Sequence, residues 1–123
     1  MEQPLAEVID RLTIVKLKME RIKTEDKTKE YEHYLKGIEN FKKEGYNIKQ
    51  EWIDKLYEAN AKIWDLEHDI RKGKDGELGL EEVGRRALQI RDINKIRISI
   101  KNEIVEATGS GFKDIKMNHA SAN

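Results

Sequence analysis

Apolar residues recur along this chain at spacings of three and four, the period of helices rather than the alternation of strands. Leu5, Val8, Leu12, Val15, Met19 and Ile22 form one such series, a heptad seam of the coiled-coil kind, and predict a first helix opening at Pro4. A proline is preset for the first helical position, because its φ is fixed and the N–H it lacks would have no partner there. Thr24-Glu25-Asp26-Lys27-Thr28 holds no apolar residue and predicts a break or a fresh cap. Tyr31, Tyr34, Leu35, Ile38 and Phe41 mark a second, weaker helix, and Gly45 ends it. Asn47, followed three residues later by Gln50, has the form of a capping box and predicts a third helix over residues 48–71. Lys72-Gly73-Lys74-Asp75-Gly76 predicts a turn. A fourth helix is expected over residues 80–107, with Glu81 and Glu82 suited to its positive end. Thr108-Gly109-Ser110-Gly111 stops it, and Phe112 to Asn123 has no clear period, so it docks as a strap or stays loose. The pattern predicts an all-α, four-helix up-and-down bundle over residues 1–107 and an irregular tail over residues 108–123.

Composition narrows the class. A chain of 123 residues has room for one core. With 39% charged and 37% hydrophobic residues and one proline, it suits long amphipathic helices. Basic and acidic residues number 24 each, so the whole chain makes no electrostatic case for nucleic acid or an anionic membrane as partner. The absence of cysteine excludes disulfides and thiolate metal sites and fits a reducing compartment. No apolar run is long enough to span a bilayer, and the amphipathic pattern opens directly after Met1–Pro4, so a cytoplasmic location is expected. Charge is nonetheless uneven. Residues 51–70 hold six acids against two lysines, a net −4, and residues 84–116 hold eight bases against four acids, a net +4. Such helices, joined by a short turn, should fold back as an antiparallel pair; the other meaning of the basic helix is an external polyanion.

The apolar faces themselves contain polar residues. At about 100° per residue, Ile53, Leu56, Ile63, Trp64 and Ile70 define the buried side of the third helix, with Asn60 and Glu67 at its centre and Arg71 beside them. On the fourth, Val83, Ala87, Ile90, Ile93, Ile100 and Ile104 define the stripe, and Arg86, Asn94, Arg97 and Lys101 fall within it. An unpaired charge in such a place would cost several kcal/mol, so these groups must meet partners, water or a ligand. Glu67 is the one carboxylate central to either stripe, which leaves positive charge in excess over these two helices. Asp10 or Glu7 of the first helix could meet that excess, and so could a bound anion.

Three motifs carry a resemblance. They are Glu7-Val8-Ile9-Asp10-Arg11-Leu12-Thr13-Ile14 with Lys18 and Arg21-Ile22; Asn60, Ile63-Trp64, Glu67 and Ile70-Arg71; and Asn94, Arg97, Lys101 and Ile104. In these the chain resembles a family of small helical proteins, a domain of unknown function from bacteria and viruses, sometimes encoded beside surface-glycan genes. The resemblance covers most of residues 5–107 and implies a shared polar cluster without supplying a chemistry.

Three roles for the cluster remain open. Asn60, Glu67, Asn94, Arg97 and Lys101 can form an internal network that fixes helix register or dimer symmetry. Arg97 and Arg86 can instead fork onto the carboxylate or phosphate oxygens of a small anionic ligand, with Asn60 and Asn94 orienting it. In the third role Glu67 is an acid or base of a small helical enzyme. All-helical chorismate mutases place Arg, Lys and Glu in a bundle core to hold a dicarboxylate, and this chain is similar in kind though not in spacing. The leading expectation is a non-catalytic accessory or sensor binding a small anion or a protein partner, with Asp10, Asn60, Glu67, Arg71, Arg86, Asn94, Arg97 and Lys101 as the candidate site.

Other signals fall short. Glu81-Glu82 is followed by Arg85-Arg86 instead of further acids, and Glu30-His33 has the Glu-x-x-His spacing once with no facing copy, so neither a magnesium nor a di-iron site is expected. His33, His68 and His119 are expected to face solvent, and no cofactor is implied. Gly109-Ser110-Gly111 with Lys113 lacks the strand and helix of a phosphate loop. Trp52 and Trp64 read as core. Ile14 and Leu17 lie roughly opposite the seam of the first helix, so that helix is apolar on two sides. A homodimer with the first or fourth helices at its interface would cover the second side, as would residues 112–117 folded back.

Overall fold

The computed structural model describes residues 3–23, 26–71 and 75–110. Among these the fold is all-α: α1 (Leu5–Arg21), α2 (Thr28–Lys43), α3 (Gln50–Arg71) and α4 (Asp75–Thr108), with no strand. Pro4 lies one residue before α1 instead of opening it, since its ψ of 152° is extended, and its carbonyl accepts the Val8 N–H at 3.1 Å. The orphan N–H of Leu5 donates to Ser110 Oγ at 3.1 Å, tying the start of α1 to the chain just beyond α4. The capping box expected at Asn47 and Gln50 does not form. Gln50 is itself the first residue of α3, too early to reach back, and its amide reaches forward to Asp54 Oδ1 at 3.0 Å.

Residues 72–74 of the expected turn lie outside the described residues, and Asp75 and Gly76 are helical. Gly79, at φ 82° and ψ 155°, interrupts α4, so its continuous part starts at Leu80, where the apolar pattern placed it. Gly109 ends α4 in the left-handed region (φ 73°), its N–H donating to the Val105 carbonyl at 2.7 Å.

At the start of α2 the carboxylate of Asp26 accepts the Thr28 N–H at 3.0 Å, and that bond holds its carboxyl below the usual carboxylate range. A depressed folded-state pKa contributes stability above the unfolded value of 3.8 and loses it as pH falls through the folded one. Asp26→Asn is therefore expected to melt slightly below the wild type at neutral pH. Melts repeated in acid should show that gap closing.

The packing departs from a square bundle. α1 touches all three other helices, α2 rests on α1 alone, and α3 pairs with α4 as a hairpin. The layers therefore run α2, α1, hairpin. Asp10 and Thr13 face Asn60 while Arg21 meets Asp65, so α1 and α3 run parallel. Asp10 faces Arg97 and Glu7 faces Lys101, so α4 runs antiparallel to them. The core gathers Leu5, Ile9 and Leu12 with Ile38, Phe41, Trp52, Leu56, Ile100 and Ile104. Leu17 is only 1% exposed within the single chain, and Ile14 is partly exposed. The burial of Leu17 thus needs no dimer to explain it. Residues 112–117, the other proposed cover, lie outside the described residues. No helix among the described residues is long and apolar enough to cross a membrane.

Helix length sets what is covered. α1 has 17 residues and α3 has 22, and the last turn of α1 meets α3 between Tyr57 and Asp65. The last turns of α3 and the first of α4 run on past it. This is why Ala87, placed on the buried stripe by periodicity, is exposed, and why Val83 and Ile90 are covered only in part.

Candidate polar cluster between α1, α3 and α4

Asp10 and Thr13 stand three apart on α1 and so share the face turned to the hairpin. Asn60 comes from the middle of α3, and Asn94 and Arg97, again three apart, come from α4. Asp10 is 3% exposed, and a carboxylate so placed is tolerated only if its oxygens are satisfied. They are. Asn60 Nδ2 donates to Asp10 Oδ1 at 2.9 Å, and Arg97 Nη2 donates to Asp10 Oδ2 at 2.7 Å. Asn60 also donates to Thr13 Oγ1 at 2.8 Å, and the Thr13 hydroxyl donates to the Asp10 carbonyl at 2.7 Å. Arg97 Nη1 donates to Asn94 Oδ1 at 2.9 Å, which aims the guanidinium at Asp10. Arg97 Nε is buried with no hydrogen-bond partner among the described residues, although the side chain as a whole is 23% exposed.

One turn further along, Lys101 Nζ meets Glu7 Oε1 at 2.6 Å. The two cations at the centre of the α4 stripe thus face Asp10 and Glu7 of α1. A network drawn from three helices fixes register, because sliding one helix by a residue moves its side chains about 1.5 Å along the axis and about 100° around it.

The other candidate residues stand apart. Arg86 spends its fork locally, Nε on Glu82 Oε2 at 3.0 Å and Nη1 on the Leu66 carbonyl at 3.3 Å. Hydrogen bonding to Arg86, with the charge of Arg85 nearby, holds the Glu82 carboxyl below its usual range. Glu67 is partly exposed and stands two turns of α3 beyond Asn60, about 10 Å, where α1 has ended. The expectation that it sits with Arg97 is therefore not met. Arg71 belongs to the last turn of α3, and its side chain lies outside the described residues. His33 and His68 are exposed, and His119 lies outside the described residues.

Periodicity missed two polar contacts. Thr13 reads as one more residue of an apolar helix; its place three residues from Asp10 was the available signal. Trp52, expected in the core, is buried there, and its indole N–H donates to Glu103 Oε2 at 2.8 Å, pinning the start of α3 to the end of α4. On the outside of α3, Tyr57 donates to the Glu20 carboxylate, which pushes the phenol pKa up.

Three surface clefts lie away from the cluster. One of about 600 Å³ runs between α1 and α2 past Val8, His33, Gly37 and Phe41. A second, about 460 Å³, lies by Tyr46, Lys49, Trp52 and Thr108. A third, about 380 Å³, runs between α3 and α4. Among the described residues no group of three or more His, Asp or Glu could hold a metal ion. No family model, curated protein or solved structure matches the chain.

Proposed function

We propose that this chain is a non-catalytic helical module of the cytoplasm, an accessory or sensor that acts by binding a protein partner, with the polar cluster serving as its internal frame. The observation that carries the reading is the pairing inside the cluster. Arg97 and Lys101, the cations placed to receive an anion, are engaged by Asp10 and Glu7 of the same chain. An anion entering there would compete with a buried carboxylate already at 2.7 Å. The enzymatic alternative needs Glu67 beside the Arg97 guanidinium, and Glu67 stands two turns of α3 beyond Asn60. Recognition then falls to the outer surface.

One observation favours the anion reading, the buried and unpartnered Nε of Arg97. Thermal melts with millimolar phosphate, succinate and citrate, against chloride at equal ionic strength, separate the two. A ligand at a hundred times its Kd adds about 2.7 kcal/mol to stability. The framework reading expects each anion to behave as chloride does. Stabilisation of that size in the wild type, lost in Asn94→Ala, would establish the pocket instead.

A further inference from the structure

The four helices are held together in two different ways. α1, α3 and α4 are joined by directed polar contacts: Asp10 to Asn60 and Arg97, Glu7 to Lys101, Trp52 to Glu103, and Tyr57 to Glu20. α2 has none of these. Among the described residues no hydrogen bond or ion pair runs from an α2 side chain to another helix, and its own pairs, Glu30 with Lys27 and Glu39 with Lys42, are local. It packs against α1 alone, burying Ile38 and Phe41 fully and Tyr31 and Tyr34 in part, and it leaves Leu35 39% exposed. Apolar packing of this kind has no preferred direction and fixes no register by itself.

The contact is close at one point and open around it. A Cβ at Gly37 would stand 3.3 Å from Val8 Cγ1, so the bare backbone of α2 lets the helices close up there. Beside that point the cleft of about 600 Å³ separates them, past Gln3, His33 and Asn40. Counted at about 100° per residue, Leu5, Val8, Leu12 and Val15 lie on the far side of α1 from Asp10. This is the heptad seam of α1, and it is the side that α2 covers. Few buried apolar contacts and no polar tie are the marks of a segment that opens before the rest. A helix of 16 residues is marginal alone in water, so α2 loses its backbone bonds once it leaves α1.

We propose that α2 is a releasable cover, which undocks and unwinds as a unit while α1, α3 and α4 stay joined, and so bares the apolar seam of α1. Access to that seam is then set by how often α2 leaves it. The proposal goes beyond the reading of the polar cluster, which concerns only the three helices that remain.

Native-state hydrogen exchange of the full chain, followed amide by amide at low urea concentrations, tests it. Amides in the middle of α2 are expected to exchange on the order of 100-fold faster than those in the middle of α3, through an opening with a smaller urea slope. Thr13→Ala removes hydrogen bonds on the side of α1 turned to Asn60. It should speed exchange in α3 about tenfold and leave α2 as it was, because those bonds stay intact when α2 alone opens. An α2 that exchanges at the rate of α3 with the same urea slope overturns the cover. So does a gap between the two helices that Thr13→Ala leaves as wide as before.

Discussion

Asp10→Ala is expected to destabilise the fold by about 3–5 kcal/mol, the cost of leaving the partner of a buried ion pair without its counter-charge. The substitution removes one small side chain, yet it strips the acceptor from both Asn60 and Arg97. For a domain of this size each kcal/mol lowers the melting temperature by about 4 °C, so the loss is readable in a melt and in urea. The urea slope should hold, because the surface exposed on unfolding is unchanged. Repacking makes the prediction sharper. Asp10→Leu, Asn60→Leu and Arg97→Met introduced together remove the polar groups and their unmet needs at once. Most of the stability should return, since a buried ion pair is often worth no more than apolar residues of similar volume. A ligand site behaves otherwise: its residues can be lost singly with little effect on the free protein.

Trp52→Ala is expected to cost about 3–5 kcal/mol, because a fully buried indole leaves a large cavity between helices that cannot collapse around it. Trp52→Phe separates packing from polarity. It keeps an aromatic ring in the core but deletes the N–H that reaches Glu103, and a loss of about 1–2 kcal/mol is expected. Glu103→Gln keeps an acceptor for the indole and should cost less than either. Urea titrations followed by far-ultraviolet circular dichroism rank the three, since Trp64 would complicate a fluorescence signal.

Much of this architecture was legible in the order of residues. Spacings of three and four located all four helices, and Gly45 and Gly109 adopt the positive φ that helix ends favour. Arg97, Asn94 and Asn60 were singled out because each interrupts an apolar stripe, and they do meet in one place; Asp10 or Glu7 was the expected answer to their charge, and both answer it. What periodicity cannot supply is relative length. Glu67 obeys the α3 stripe as well as Asn60 does, but α1 stops before covering it, so one residue joins the network and the other does not. Nor does a helical wheel say which helix lies in the middle. Ile14 and Leu17 suggested a partner chain or a folded-back tail, whereas Leu17 is buried within the single chain and Ile14 only in part. Charge pattern gave the α3–α4 pairing but not the isolation of α2.

The most direct test is a double-mutant cycle on Asp10 and Arg97, with each residue changed to alanine alone and then together and stability measured in urea. If the two side chains hold three helices in register through one another, the double variant should be more stable than the sum of the single losses predicts, by about 2 kcal/mol. Losses that simply add would show that the guanidinium and the carboxylate do not depend on each other, and the cluster would not be the frame described here.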